Sequence, residues 1–254
     1  MARRLGKKKR PLKEKYQHRE RSKTWERSID DKTLSMLYYL LNNHVISSLD
    51  FPISQGKEAV VFKATKRTEK GNIDLAVKIF KYETSSFLKG SMLKYIQGDP
   101  RFYTAKKNHR ALVQLWARKE YSNLLECQKA GVSAPRPIKH RENIVVMEFL
   151  GENSIPYSLL KDQPDIDAEK ILEQVIENMQ KLWKVGLVHA DLNEFNIMMA
   201  NEKPILIDFA QCVKKEHPLA TQFLQQDCYN IAKFFSKRGA KTSAEEILRE
   251  VTGQ

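Results

Sequence analysis

Cysteine and long apolar runs are scarce in this sequence of 254 residues, and acidic side chains are fewer than basic ones. Its three cysteines, Cys127, Cys212 and Cys228, are widely spaced and form no C-x-x-C pair, which argues against a disulfide framework and a zinc site. No apolar run approaches the roughly 18 residues that a membrane span needs, and no signal-type apolar region follows the N-terminus. We therefore expect a cytoplasmic protein with no membrane attachment, and we take it to be a monomer or a weak homo-oligomer.

The excess of basic over acidic residues leaves a strong positive charge. Lys and Arg number 44 against 31 Asp and Glu, a formal net charge of +13. The excess is densest in the first two dozen residues, at Arg3, Arg4 and the run 7–10. Such a density predicts a polyanionic partner, with RNA as the first candidate. A solvated basic tail that only aids solubility is the alternative.

A second basic stretch lies between Tyr82 and His109, where no apolar periodicity dominates. Its basic residues are Arg101, Lys106, Lys107 and Arg110. We predict a long, mobile, positively charged insertion near residues 82–108. Together with the N-terminal tail, this insertion would form an electrostatic footprint for rRNA.

Glycine is scarce where a nucleotide-binding loop would need it. Residues 51–53 open a predicted strand, S-Q-G-K-E-A forms a polar turn, and residues 60–64 return as a second strand. A phosphate-binding loop usually carries several glycines so that main-chain N–H groups can approach the nucleotide, whereas this turn has only Gly56. Taken alone, it is better explained as an ordinary hairpin turn. The candidate nucleotide contacts within it are Ser54, Gly56, Lys57 and Glu58.

The next strand, L-A-V-K-I-F over residues 75–80, favours the nucleotide interpretation. It resembles the kinase strand V-A-I-K, whose lysine pairs with nucleotide phosphates. A lysine with apolar neighbours points inward only if an anionic partner offsets its desolvation, so Lys78 is the candidate. An outward-facing edge lysine is the alternative. Glu120, on a predicted helix over residues 112–125, is the expected partner of Lys78, with Glu126 as the second choice.

A buried strand over residues 143–151 is predicted to run into a hinge between two lobes. In a kinase with two lobes, main-chain groups of this linker read the adenine edge. Met147 would close the back of the pocket, and Glu148 and Leu150 are the linker candidates.

Two carboxylates and an amide follow short apolar strands in V-H-A-D-L-N-E-F-N-I (residues 188–197) and I-L-I-D-F-A (205–210). The pattern H-x-D-L-x-x-x-N with a following D-F-x resembles the protein-kinase signature. It puts Asp191 in the position of the catalytic base and Asn196 and Asp208 in the metal positions. A polar turn with ordinary carboxylates is the alternative. We expect His189 to orient the loop, and Asp227 either to anchor its main chain or to be a surface carboxylate.

Apolar residues at helical spacing predict the remaining helices. A core helix capped by Asp167 runs up to Gly186, and two more lie around residues 220–236 and 243–251. An N-terminal packing helix, capped by Asp30 or Asp31, presents Leu34, Leu37, Tyr38, Leu41 and Val45. The chain then divides into a basic tail with the packing helix (1–50), an N-lobe (51–150) and a C-lobe (151–254).

From about Phe51 to Phe235 the chain resembles the RIO family of atypical kinases. The most specific motifs are S-Q-G-K-E-A, A-V-K-I-F, G-D-P-R-F, G-V-S-A-P-x-P, H-A-D-L-N-E-F-N-I and I-D-F-A-Q. The roughly 50 residues ahead of Phe51 are too few for the winged-helix domain of one subgroup plus a tail. The G-K-E-A loop followed by G-D-P-R-F looks like the other subgroup, the Rio1 type. Short tails are more like those of an archaeal member.

The resemblance implies an α+β fold with an antiparallel sheet in the N-lobe and a mainly helical C-lobe. It also implies use of ATP with Mg²⁺ or Mn²⁺, serine autophosphorylation, and a partner in the maturing small ribosomal subunit and its rRNA. A further implication is that Asp208 itself accepts the γ-phosphoryl group. The resemblance assigns the roles described above to Lys78, Glu120, Asp191, Asn196 and Asp208.

The sequence departs from ordinary protein kinases in two signature positions and in length. Ala190 replaces the arginine of H-R-D, and Ala210 replaces the glycine of D-F-G. Only 46 residues follow Asp208 in the 254-residue chain, and no A-P-E occurs. We therefore expect a truncated C-lobe without an activation segment or peptide-binding helices. ATP hydrolysis coupled to a conformational or release step is then the better expectation.

Two other functions compete with this one. A small-molecule kinase of the aminoglycoside type shares the H-x-D-x-x-x-x-N loop, but its pocket would need an acidic insertion for a cationic sugar, and the net charge here is positive. A nucleotide-gated RNA-binding scaffold without catalysis would lack a base or a metal ligand, whereas Asp191, Asn196 and Asp208 are all present.

Overall fold

The computed structural model of the chain describes residues 29–83, 92–102 and 108–253. The basic N-terminal run, including Arg3 and Arg4, lies outside the described residues, as do Lys106 and Lys107 of the predicted insertion. No helix within the described ranges is long and apolar enough to cross a membrane.

The N-lobe is a helix packed on a five-stranded antiparallel sheet. Helix α1 spans Asp31–Asn42 and is capped by Asp30, whose side chain accepts a hydrogen bond from the Thr33 N–H. The sheet has the strand order β1-β2-β3-β5-β4. Its strands are β1 Ser48–Gln55, β2 Ala59–Thr68, β3 Gly71–Phe80, β4 Pro137–Arg141 and β5 Ile144–Glu148. Helix α2, His109–Ala130, packs on the opposite face of the sheet from α1 and ends at Gly131 in the left-handed conformation.

The buried face of α1 differs from the prediction. Leu34 and Tyr38 are 43% and 57% exposed, while Leu37 and Leu40 are buried. The buried face of α1 consists of Thr33, Leu37 and Leu40, which follow one another at one-turn intervals. The Thr33 hydroxyl accepts a hydrogen bond from the buried Asn143 side chain. A polar residue therefore completes the buried stripe, which apolar spacing alone did not indicate.

The described part of the insertion is packed, contrary to the prediction of a mobile polar segment. Two short 3₁₀ turns, Leu93–Tyr95 and Pro100–Phe102, occupy residues 92–102, which we call the inserted segment. Its apolar residues Met92, Ile96 and Phe102 are buried in the same core as the C-lobe helices. The spacings between these buried residues are four and then six positions and follow no single period, which is why the sequence pattern missed them.

The C-lobe begins with a small hairpin, β6 Gly151–Glu152 and β7 Ile155–Pro156. Asp167 caps helix α3, Ala168–Lys184, as predicted. Two small sheets follow, β8 with β11 and β9 with β10, and helices α4 and α5 end the described chain. Their bounds are β8 Leu187–Val188, β9 Ile197–Ala200, β10 Lys203–Leu206, β11 Val213–Lys214, α4 Ala220–Ser236 and α5 Ala244–Thr252.

The C-lobe is short beyond β11. Only residues 215–219 separate β11 from α4, so this part of the described chain has no activation segment or peptide-binding helices ahead of α4. One continuous core joins the inner face of the N-lobe sheet to α2, α3, α4 and α5. The two-lobed α+β fold predicted from the sequence is confirmed.

Candidate active site

A cavity of about 610 Å³ lies between the lobes, a volume within the usual range for small-ligand sites. The sequence named twelve site residues, and eleven of them line this cavity. They are Ser54, Gly56, Lys57, Glu58, Lys78, Glu120, Met147, Glu148, Leu150, Asn196 and Asp208. The twelfth, Asp191, accepts a hydrogen bond from Gln211, which also lines the cavity.

Strand alternation explains why Lys78 points into this cavity. Side chains of β3 alternate between the two faces of the sheet, so Val77 and Ile79 pack beneath α1. Ala76, Lys78 and Phe80 take the opposite face and line the cavity. The outward-facing alternative for Lys78 is therefore wrong.

Lys78 joins helix α2 to the loop after β10. Its Nζ lies 2.7 Å from Glu120 Oε1 and 2.9 Å from Asp208 Oδ1. Glu120 projects from the buried face of α2 and is 1% exposed. Glu126, the second choice from the sequence, instead pairs with Lys214. The structure therefore places Glu120, not Glu126, beside Lys78.

The three charges set one another's protonation. Burial alone would lower the pKa of Lys78, but the carboxylates of Asp208 and Glu120 outweigh it and raise that pKa above its ordinary value. Burial raises the pKa of Glu120, and the Lys78 charge only partly opposes that. For Asp208 burial favours the neutral form, but the charge and hydrogen bond of Lys78, with smaller contributions from His189 and the Ala210 N–H, together lower the pKa. Lys78 and Asp208 are consequently both charged at neutral pH.

Asp191 is held by two side-chain amides. Its Oδ2 accepts hydrogen bonds from Asn196 Nδ2 and from Gln211 Nε2, each at 3.1 Å. Burial, and then repulsion from the Asp208 charge, raises the pKa of Asp191 to about 6. A carboxylate poised near neutral pH is suited to accepting a proton from a hydroxyl or water.

The main chain around Asp191 is anchored from α4. The Asp227 carboxylate accepts hydrogen bonds from the N–H groups of Ala190, at 2.8 Å, and Leu192, at 2.7 Å. This contact fixes Ala190 at a φ of 68°, a left-handed conformation that L residues seldom adopt. His189 Nε2 lies 3.1 Å from the Ile207 carbonyl and so ties the two loops together. Asp227 is thus the buried anchor and not a surface carboxylate.

The polar groups of the cavity fit a divalent cation bound together with phosphates. The described residues include no group of three or more His, Cys, Asp or Glu side chains that could hold a metal ion. Mg²⁺ commonly takes one or two protein carboxylates and completes its shell with phosphate oxygens and water. Asp208 is 43% exposed toward the cavity. Because the Asn196 amide nitrogen already bonds to Asp191, the amide oxygen of Asn196 is the atom left for a metal.

The turn and the hinge complete the two sides of the cavity. The Gly56 N–H donates to the Ala59 carbonyl, and Lys81 Nζ donates to the Gly56 carbonyl, so hydrogen bonds within the chain hold the turn. At the hinge, the Glu148 N–H donates to the Arg136 carbonyl. Met147 is buried and lines the cavity.

Sequence reasoning missed three residues of this region. Gln211 bonds to Asp191, while Lys119 and Asn123 of α2 donate to main-chain carbonyls of the loop that follows Asp208. Lys119 stands beside Glu120 in a helix of mixed charge, and such residues are usually solvent-exposed, so no sequence signal marked it as buried.

The fold and the site together define a protein-kinase-like phosphotransferase with a short C-lobe. Residues 60–247 match the RIO domain family. The chain belongs to the RIO family of atypical serine/threonine kinases, as the sequence motifs predicted. Membership of this family sets aside the aminoglycoside-type kinase.

Archaeal relatives agree with this assignment, and a solved structure shares the fold. The RIO-type serine/threonine-protein kinase Rio1 of Methanocaldococcus jannaschii is 39% identical over 233 residues, 91% of this chain and 78% of the relative. The protein of the same name from Thermoplasma acidophilum is 42% identical over 188 residues, 74% of this chain and 96% of the relative. The Rio2 kinase–ADP/Mg²⁺–phosphoaspartate complex from Chaetomium thermophilum shares the fold, with a TM-score of 0.62 and 23% identity over 86% of this chain and 66% of that one.

Proposed function

We propose that this protein binds ATP with Mg²⁺, or Mn²⁺ in its place, between the lobes and transfers the γ-phosphoryl group. The observation that carries the proposal is the contact of Lys78 with both Glu120 and Asp208, at 2.7 and 2.9 Å. Phosphoryl transfer depends mainly on positioning and on neutralising phosphate charge, and a lysine held between two carboxylates supplies both.

Each proposed role follows from the position of the side chain. Lys78 turns from Asp208 toward the nucleotide phosphates while Glu120 keeps it in place. Asn196 and Asp208 hold the metal ion, which when bound neutralises charge on the transferring phosphoryl group. Main-chain groups of the turn around Gly56 approach the phosphates, and the hinge at Glu148 and Leu150 reads the adenine edge.

Asp208 is proposed as the group that receives the phosphoryl. Its carboxylate oxygen attacks the γ-phosphorus, the bond from that phosphorus to the bridging oxygen breaks, and ADP leaves with the bond's electrons. Water, with Asp191 accepting its proton, then attacks the phosphorus of the aspartyl phosphate, releases inorganic phosphate and restores the carboxylate. The Rio2 kinase–ADP/Mg²⁺–phosphoaspartate complex, which shares the fold, supports this route.

The competing route keeps Asp208 as a metal ligand only. Asp191 would then take the proton of a serine hydroxyl, and the product would be phosphoserine. Slow autophosphorylation would result, in place of ATP hydrolysis.

Labelling with γ-labelled ATP separates the two routes. After an acid quench, hydroxylamine cleaves an acyl phosphate but not a phosphoserine. We expect label that hydroxylamine removes and that is absent from Asp208→Asn. Label that resists hydroxylamine and persists in Asp208→Asn would rule out the aspartyl route.

The maturing small ribosomal subunit is the proposed partner, supported by the net charge of +13 and by the family resemblance. We expect purified small subunits to change the rate of Mg²⁺-dependent ATP turnover. Equal turnover with and without subunits would contradict a ribosome-coupled ATPase. Complete absence of turnover in both cases would favour the non-catalytic scaffold.

A further inference from the structure

Lys119 is a buried cation that the proposed chemistry does not use. It is 0% exposed, and its Nζ is held by two main-chain carbonyls, those of Ala210 at 3.0 Å and of Cys212. Burying a lysine is costly, and burial lowers the pKa of Lys119 to about 7. Its ammonium and its neutral amine both donate N–H, so the contact with the carbonyls does not depend on the charge.

Asn123 extends the same contact by one helical turn. Its Nδ2 donates to the Phe209 carbonyl at 2.7 Å, and the residue is 0% exposed. Lys119 and Asn123 therefore bind the carbonyls of three of the four residues that follow Asp208. Glu120, between them on α2, reaches the Asp208 side chain through Lys78.

The loop held in this way has an unfavourable main-chain conformation. Asp208 has a φ of 62°, in the left-handed region, which a non-glycine residue keeps only when its surroundings fix it. The three carbonyl contacts come directly after this residue. They are thus placed to fix the direction in which the Asp208 carboxylate points.

The inserted segment reaches the same cluster through Arg101. Its Nη1 donates to Asn123 Oδ1 at 2.8 Å, and its Nη2 pairs with buried Asp99 at 2.7 Å. With its oxygen bound by Arg101, the Asn123 amide must present its nitrogen to the Phe209 carbonyl. The insertion thus determines the orientation of a side chain that holds the loop.

We infer that Lys119 and Asn123 are positioning residues that fix the metal-binding Asp208, and that Arg101 links the inserted segment to that loop. The inference rests on the proposed function, because it takes Asp208 to be a metal ligand. It adds that the metal-binding step depends on three residues that do not line the cavity.

Nucleotide affinity with and without metal tests the inference. The Kd of ADP would be measured by calorimetry in Mg²⁺ and in EDTA for Lys119→Met, Asn123→Ala and Arg101→Gln. We expect the factor by which Mg²⁺ strengthens ADP binding to fall about tenfold, while the Kd in EDTA changes less than twofold. In turnover assays with Mg²⁺, the KM for ATP should rise along with the Kd of ADP, and kcat should fall.

Lys63→Met is the matched control. Lys63 is also a buried lysine, but it pairs with Asp50 and Asp74 in the N-lobe sheet, away from the Asp208 loop. Lys63→Met should lower the stability of the protein but leave unchanged the factor by which Mg²⁺ strengthens ADP binding. Arg101→Gln, whose side chain is 21% exposed, serves if the two buried substitutions do not fold.

Folded variants with the wild-type Mg²⁺ factor would overturn the inference. So would an equal loss of affinity in Mg²⁺ and in EDTA, which reports general damage to the cavity. If wild-type protein itself shows no Mg²⁺-strengthened binding, the proposed function fails, and that result is separate from any effect of the variants.

Discussion

Lys78 neutralises a glutamate that has almost no access to solvent. In Lys78→Met, Glu120 would stay buried without its cation, and leaving one charge of a buried pair unpaired costs about 3–5 kcal/mol. Burial already raises the pKa of Glu120, and loss of Lys78 removes the main opposing charge and raises it further. When the pKa of a carboxyl group is higher in the folded than in the unfolded protein, the group stabilises the fold at pH values below its unfolded pKa. This stabilisation is lost as the pH rises through the folded pKa.

The destabilisation by Lys78→Met should therefore be small near pH 4 and grow toward pH 8. Urea unfolding of the variant and wild type at several pH values measures it. The comparison variant is Lys63→Met, whose partners Asp50 and Asp74 are 22% and 30% exposed and retain water, so its pH dependence should be weaker. A destabilisation by Lys78→Met that is equal at all pH values would contradict a buried, unpaired Glu120.

Asp191 should impose a pH dependence on turnover. Its pKa is raised to about 6, and a base works only when deprotonated, so kcat, which includes hydrolysis of the aspartyl phosphate, should rise between pH 5 and 7 and then level off. Asp191→Ala should cost orders of magnitude in turnover and keep the fold. Near-normal turnover in a folded Asp191→Ala protein, or a flat wild-type profile, would reject the assignment of Asp191 as the base.

Gly56→Ala separates phosphate binding from folding. An added Cβ would meet only the Ala59 carbonyl at 3.7 Å, and the φ of Gly56 is not left-handed, so we expect stability to change by less than about 1 kcal/mol. ATP affinity should nevertheless fall, because the Cβ obstructs the approach of phosphates to the main chain. Affinity for adenosine, which has no phosphates, is the control and should stay the same.

At the scale of elements, the inserted segment depends on one glycine. Gly98 has a φ of 92°, and an added Cβ would lie 2.6 Å from Pro218, whose ring cannot move away. Gly239 has nearly the same φ, 93°, with nothing within 4 Å of an added Cβ. Both alanine variants carry main-chain strain, but only Gly98→Ala also forces the segment away from the C-lobe.

We expect Gly98→Ala to lose about 1–3 kcal/mol more stability than Gly239→Ala, the usual cost of overpacking. Thermal and denaturant unfolding of both variants measure the difference. Equal losses would mean that the inserted segment is not packed against the start of α4.

The catalytic loop and β3 could be predicted from the sequence, whereas the packing of the inserted segment could not. The chemistry of the catalytic loop and of β3 requires particular residue types at fixed spacing, as in H-A-D-L-N-E-F-N and A-V-K-I-F, and such a pattern can be found in the sequence. The packing of the inserted segment was not predictable, because its apolar residues contact parts of the chain far away in sequence, such as Phe223, on which Tyr95 stacks at 5.0 Å. Burial of Lys119 likewise depends on the position of the Asp208 loop, which local sequence does not specify.

For the whole molecule, the net charge predicts salt-dependent binding to rRNA. Arg101 pairs with Asp99, and Arg110 lies 3.0 Å from Asp30, so these two charges of the predicted footprint are partly neutralised within the chain. The N-terminal basic run should then contribute most of the charge that contacts phosphates. Affinity for small subunits should fall steeply between about 50 and 200 mM salt as counterions are released.

Neutralising the N-terminal run should reduce that salt slope, whereas Arg101→Gln should leave it unchanged. Titration of labelled small subunits at several salt concentrations measures both. Binding that stays the same across this salt range, or that survives neutralisation of the run, would contradict the electrostatic footprint.

The three buried cysteines can be used to measure local unfolding of the protein. Cys127 in α2, Cys212 in the loop after Asp208 and Cys228 in α4 are each 0% exposed. Burial raises the pKa of all three thiols, that of Cys228 to about 12, so the reactive thiolate is rare in the closed molecule. A thiol reagent therefore modifies each cysteine only when the surrounding helix or loop unfolds locally. The modification rates of Cys127, Cys212 and Cys228 then report the local stability of α2, of the loop after Asp208 and of α4.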